Sequence, residues 1–203
     1  MMRVTGRMLC AGLVVLAGLA LGCGSTRGRI MGDEEQDLVG NRKAGAPTYD
    51  RLVEGAVQKM LGLHRAEVEP EGPMKVAFMG VENKGIEEMV DAKAQMEELI
   101  STSINRSGVY RTISERFVRR ALREIRGGRD DLLLPEYRRR FLAVLEKQRM
   151  PVHCLLFATL TTLSTGGQDE MRQRNYMLTL EMIDVESGWN DKVSTRIRKE
   201  YNR

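Results

Sequence analysis

The chain has 203 residues, 30% of them charged and 42% hydrophobic, with 32 Lys and Arg against 28 Asp and Glu for a formal charge of +4. That length suits one domain of ordinary size plus a tail, with enough apolar residues to bury a real core. Two of the basic residues, Arg3 and Arg7, and none of the acidic ones fall in the first 22 positions, so the excess drops from +4 to +2 beyond them, little footing for a nucleic-acid partner. Of the three cysteines, Cys10 and Cys23 lie near the start and Cys154 stands alone in the rest. The domain can therefore form no internal disulfide and must stand on its packing.

The first element is Met8–Leu21, a 14-residue uncharged run behind a basic start, ending Leu19-Ala20-Leu21-Gly22-Cys23. It has the layout of an export signal. A bilayer span takes about 20 apolar residues, more than this run supplies. The ending resembles the lipobox of bacterial lipoproteins, with Ala20 where Leu is usual and a regular Gly22 beside the cut. The resemblance implies signal cleavage between Gly22 and Cys23, a diacylglycerol on the Cys23 thiol and an acyl chain on its new amino group. That covalent lipid would be the only prosthetic group. An ordinary cleaved signal or an uncleaved anchor is the alternative, and Cys10, at the start of the run, is a poor acceptor. Residues 1–22 are thus expected to be the signal and residues 23–47 a tether. Only Ile30, Met31, Leu38 and Val39 are large apolar residues in that tether, too few to offset the entropy of ordering it. Its 24 residues after the cysteine reach about 80 Å at full stretch and about 25–30 Å as a coil, which keeps the domain close to its membrane.

Residues 48–203 are expected to form the globular domain. Tyr49, Leu52, Val53, Ala56, Val57, Met60 and Leu61 make a one-sided helical stripe with Thr48 as N-cap. Pro70 to Pro73 breaks the chain before Met74–Glu82, a strand apolar on both faces and so covered on both sides. Asn83-Lys84-Gly85 closes it. Met89, Ala92, Met96, Leu99, Ile100 and Ile104 give a second helix, and Val109–Ile113 a short strand. Ser114 is placed to cap a third helix, which Gly127-Gly128 stops. Pro135 suits the first residue of a fourth, with Tyr137, Phe141, Val144 and Leu145 inward. Val152–Leu163 reads as the longest interior strand, Thr165–Gln168 as a hairpin turn, and Tyr176, Leu178, Leu180 and Met182 alternate on the return. After a turn at Glu186–Gly188, Val193, Thr195, Ile197 and Tyr201 alternate with Lys192, Ser194, Arg196 and Arg198, a pattern that suits a solvated sheet face or a protected edge. The fold class is α+β: a mixed, mainly antiparallel sheet of about five strands packed with about four helices.

Groups able to do chemistry are sparse. His64 ends the first helix, where a basic side chain is ordinary. His153 and Cys154 are consecutive strand residues that face opposite ways, so they cannot form a nucleophile pair, and Cys154 reads as a small core residue. Gly127-Gly128-Arg129-Asp130-Asp131 reads as a helix stop followed by solvated charge. The sequence holds no GxSxG, HExxH, phosphate loop or CxxC. Catalytic and metal-binding sets, and with them a small-molecule substrate, lack a candidate. Basic residues do gather: Arg116, Arg119, Arg120, Arg123, Arg126 and Arg129 along the third helix, and Arg138, Arg139 and Arg140 at the start of the fourth. The bland reading is a solvated helix face, because Glu115, Glu124, Asp130, Asp131 and Glu136 interleave with them. The sharper one is a docking surface for an acidic protein or an anionic cell-wall polymer, with Arg119, Arg120, Arg123, Arg138 and Arg139 as its candidates.

From about Asp37 to Tyr201 the chain resembles the LpoB-type family, the outer-membrane lipoproteins that activate penicillin-binding proteins. The likeness runs through Asp37-Leu38-Val39-Gly40, Tyr49-Asp50-Arg51-Leu52-Val53 and Lys75 to Asn83, then Ile86 to Asp91. It resumes in Val152–Leu163, Tyr176 to Leu180, and Ile183-Asp184-Val185-Glu186-Ser187-Gly188-Trp189 before the last strand. Trp189 follows Gly188 directly, where the family usually places residues between. The resemblance implies a fold like the N-terminal domain of TolB, no enzymatic activity, and a peptidoglycan synthase as partner. Gly24 in place of the Asp that retains lipoproteins in the inner membrane of enteric bacteria implies an outer-membrane anchor with the domain facing the periplasm. The alternative is a structural lipoprotein with the same kind of domain in an envelope secretion or polymer-export complex.

Overall fold

The computed structural model describes residues 45–64, 72–85, 90–166 and 172–201. The expected signal, Gly22, Cys23, most of the expected tether, Ile86 to Met89 and the Gly167-Gln168 half of the expected turn lie outside the described residues. The elements are α1 (Ala46–His64), β1 (Met74–Asn83), α2 (Val90–Arg106), β2 (Tyr110–Thr112), α3 (Glu115–Ile125), a 3-10 turn (Asp130–Leu133), α4 (Pro135–Lys147), β3 (Cys154–Gly166), β4 (Arg172–Asp184) and β5 (Asn190–Tyr201). The strands form one sheet in the order β2-β1-β3-β4-β5. β1 pairs in parallel with β2 and β3, and the long β3-β4 and β4-β5 ladders are antiparallel. The α+β class with a mixed sheet is the one expected, and among the described residues no helix is long and apolar enough to cross a membrane.

Each sheet face carries its own helix layer and its own core. On one face α1 and α2 bury Leu52, Val53, Met60, Met96, Ile100 and Ile104 against Val76, Leu156, Tyr176, Leu178 and Leu180. Tyr49 of α1 meets Tyr176 of β4 edge to face at 6.3 Å, a geometry worth about 1 kcal/mol beyond the area it buries. On the other face α3 and α4 bury Val118, Ala121, Ile125, Phe141 and Leu145 against Ala77, Met79, Leu155 and Phe157. This two-sided cover is why β1 and the start of β3 read as unbroken apolar runs. β5 is an edge strand, and Lys59 of α1 donates to the Ser194 carbonyl oxygen at 2.7 Å, placing a cation on that edge where added pairing would otherwise start.

Four local expectations need correction. Helix α1 begins at Ala46, with Pro47 in the first turn, where its missing N–H is not needed, so Thr48 is inside the helix and buried rather than its N-cap. Ser114 takes the N-cap position of α3, yet its side chain makes no capping hydrogen bond. That helix closes on Arg126 in the left-handed conformation (φ 54°), not on a glycine. Gly127 is needed for closeness instead, since a Cβ there would stand 3.0 Å from the Tyr137 ring. Finally, β3 starts at Cys154, not Val152, although the His153 N–H donates to the Lys75 carbonyl and its carbonyl accepts the Val185 N–H.

The sheet carries one bulge. Phe78 pairs with Leu156 and Val81 with Ala158, so Met79 and Gly80 together stand opposite Phe157 alone. Strict alternation would turn Val81 away from the α1–α2 side; the extra residue returns it to that core. Gly80 makes this possible with φ at +76°, where a Cβ would lie 2.7 Å from Glu97 Oε1. The bulge is held from both faces. Glu97 of α2 accepts the Val81 N–H at 2.8 Å on one side. On the other, Arg129 donates to the carbonyl oxygens of Gly80 (3.2 Å) and Ala158 (3.3 Å) and lies over the Phe157 ring at 5.5 Å. Its side chain is only 19% exposed, so Arg129 belongs neither to α3 nor to a solvated loop, as its place in the sequence had suggested.

Replacing Arg129 by Ala removes charged hydrogen bonds and the ring contact together, and urea unfolding should show a loss of about 2–4 kcal/mol. Arg129→Lys should recover less than half, since one ammonium cannot bridge two carbonyls and lie flat on a ring. A loss under about 0.5 kcal/mol for Arg129→Ala would place the residue on the inert surface instead.

Candidate docking surface

Among the described residues no group of three His, Cys, Asp or Glu could hold a metal ion. His153 Nδ1 accepts the Lys75 N–H at 2.9 Å, while Cys154 is buried in the α1–α2 core, so the two do not act on one another. The chemistry the surface offers is charge and exposed apolar area.

On α3 the buried positions are Val118, Ala121 and Ile125. At about 100° per residue, Arg116, Arg119, Arg120 and Arg123 then fall on the opposite side and project outward as one stripe. Arg119 is paired to Glu115 one turn earlier at 2.5 Å, both exposed. Such a pair contributes about 0.3–0.5 kcal/mol and is easily exchanged for a partner's carboxylate. Arg120 and Arg123 show no ion pair among the described residues. On α4, Phe141 and Leu145 face the core, which sends Arg139 outward. Arg140 is used within the fold: it donates to the Ile125 carbonyl oxygen at 3.2 Å, capping the C-terminus of α3, and stacks on Tyr137. Arg138 turns instead toward the β4–β5 connection, its guanidinium 3.9 Å from where a Cβ on Gly188 would stand. Of the five candidate arginines, Arg119, Arg120 and Arg123 therefore share one helix face, Arg139 stands on the outer side of the neighbouring helix, and Arg138 serves a different end of the layer.

That end holds a residue the sequence offered only as part of a turn. Trp189 is 78% exposed. Its backbone is fixed: its carbonyl accepts the Asp184 N–H at 2.9 Å and its N–H donates to Ser187 Oγ at 3.3 Å. Asp184 organises the turn, Oδ1 accepting from the Ser187 N–H (2.7 Å), the Ser187 hydroxyl (2.6 Å) and the Glu186 N–H (3.2 Å). Burial pushes the Asp184 carboxyl up, but the Ser187 hydroxyl, the two N–H donors and nearby His153 together outweigh it and hold the carboxyl below its ordinary value. The available signal for Trp189 was its position directly after Glu186-Ser187-Gly188, in a turn where no core can cover it.

No family model matches the chain, and no curated protein sequence matches it. Among solved structures it is similar to the LpoB C-terminal domain from Salmonella enterica, at 13% identity and a TM-score of 0.49, covering 72% of this chain and 97% of that one. The Escherichia coli LpoB C-terminal domain gives 16% identity and 0.48 over the same shares. Lipoprotein GNA1162 from Neisseria meningitidis gives 14% and 0.45, covering 63% of this chain and 84% of that one. At these identities and scores the likenesses assign neither activity nor partner.

A depressed carboxyl contributes stability above its unfolded value of about 3.9 that is lost as pH falls through the folded value. Asp184→Asn keeps the acceptor oxygen and removes the charge. It should lower the melting temperature at pH 7, and by less at pH 3, which lies below the unfolded value. An equal deficit at both pH values would show that the charge is not what holds this turn.

Proposed function

We propose that this chain is a non-enzymatic outer-membrane lipoprotein, acylated at Cys23, that binds a periplasmic domain of a penicillin-binding protein and stimulates its glycan polymerisation and cross-linking. The observation that carries the reading is the order of stretches from Lys75–Asn83 through Ile183–Trp189, which resembles that of LpoB-type lipoproteins. Those stretches fall on β1, which pairs in parallel with β2 and β3, and on the end of β4 with the turn into β5. The Gly22-Cys23 lipobox and the lack of a catalytic set in the sequence agree with it.

Under this reading the outward stripe of α3 is the docking face. From Ser114 to Arg149 the chain carries eleven Lys and Arg against six Asp and Glu, an excess of five, where the whole chain has an excess of four. The remainder is close to neutral, so the positive field is concentrated on the α3–α4 layer and favours a partner with an acidic patch.

The full chain in detergent, used as bait for a bifunctional penicillin-binding protein of the same cell, should retain it and raise its polymerisation rate. Reversing Arg119, Arg120 and Arg123 to Glu should weaken retention at least about tenfold while leaving the circular dichroism unchanged. A bound synthase with an unchanged rate, or no synthase bound, would end the activator reading. Retention of a secretion or polymer-export component would move the protein to an assembly role.

A further inference from the structure

Three large apolar side chains are exposed on the two segments that Arg138 links. Leu133 and Leu134, 51% and 55% exposed, close the 3-10 turn and lead into α4. Arg138 follows one helical turn later, its N–H donating to the Leu134 carbonyl at 3.1 Å, and its guanidinium reaches Gly188. Beyond Gly188 stands the exposed indole of Trp189 on its hydrogen-bonded turn. Two leucines and a tryptophan thus flank Arg138, on backbone that is held in place.

We propose that this end is a membrane-contacting tip, with Trp189, Leu133 and Leu134 entering the interfacial zone of an anionic bilayer and Arg138 meeting its headgroups. Three features favour a bilayer over a protein. An indole on a turn projects outward, and a fluid interface needs no matching pocket to receive it. Tryptophan's apolar body and polar N–H suit the boundary between headgroups and acyl chains. The net positive charge of the α3–α4 layer complements a surface of anionic headgroups, toward which each basic group adds attraction. One amphipathic tip binds weakly by itself; on a chain already anchored to the same membrane, contact becomes intramolecular and its effective concentration is high. The proposal rests on the Cys23 anchor of the reading above and not on its synthase, which uses the α3 stripe.

Trp189 is the only tryptophan in the chain, so its fluorescence reports on this tip alone. The test places the full-length protein, as purified with its own anchor, in vesicles of equal parts phosphatidylglycerol and phosphatidylcholine, or of phosphatidylcholine alone, with brominated acyl chains as quencher. Trp189 should be quenched by the bromolipid and shielded from aqueous iodide in the anionic vesicles, severalfold more than in the neutral ones. Leu133→Ser with Leu134→Ser, and separately Arg138→Glu, should return it to iodide; the leucines are exposed and Arg138 is half-buried, and unchanged circular dichroism checks the fold. Bromolipid quenching that is absent, or that is the same in both lipids and in all variants, would overturn the proposal. So would shielding that arises only when a purified penicillin-binding protein is added, which would make the tip a protein contact.

Discussion

Glu97 and Arg129 grip the same irregularity in β1 from opposite faces of the sheet, and the arrangement of both cores follows from it. The extra residue at Met79-Gly80 lets Val81 return to the α1–α2 core and sends Glu82 to the other side, where its carboxylate lies 3.9 Å from Arg129 and 3.3 Å from Lys84. A strand covered on both faces has no solvent into which a misplaced carbonyl could turn, so the bulge is stable only if its freed groups find partners in the protein. The carboxylate takes the N–H and the guanidinium takes the carbonyls. Arg129 can reach because the chain leaves α3 through the left-handed Arg126 and then tightens into the Asp130–Leu133 turn, with Asp131 accepting the Gly128 N–H at 2.8 Å.

Much of this architecture was legible in the residues because periodicity reports which face is buried. The α1 stripe from Tyr49 to Met60 and the Tyr176–Met182 alternation are both buried as the pattern required. The two-sided apolar run of β1 gave its central place, and the charged face of β5 its place at the edge. What the pattern could not carry is where a polar side chain points. Arg129 looks like its neighbours in an arginine-rich stretch, and only the fold reveals that it turns inward to two carbonyls. Arg140 is the same case, reading as surface charge and serving as a helix cap. The bulge was equally hidden, since a glycine inside a strand marks either an irregularity or a close approach, and here it marks both.

For the candidate surface, residue type was legible and grouping was not. The α3 stripe follows directly from helical spacing. Arg138 and Arg139 are adjacent in sequence and about 100° apart around their helix, so they face different surroundings. The fold thereby separates two surfaces: the basic outward face of α3, and the exposed Trp189 turn that Arg138 reaches.

The dependence of the sheet on a grip from both sides is measured most directly by a double-mutant cycle of Glu97→Ala and Arg129→Ala in urea unfolding. The two side chains lie on opposite faces and do not touch, so independent roles would make their losses add to within about 0.3 kcal/mol. A shared bulge predicts otherwise: once either partner is gone the irregularity relaxes, and removing the second should then cost at least about 0.5 kcal/mol less than it does in the parent chain. Simple additivity would contradict the account.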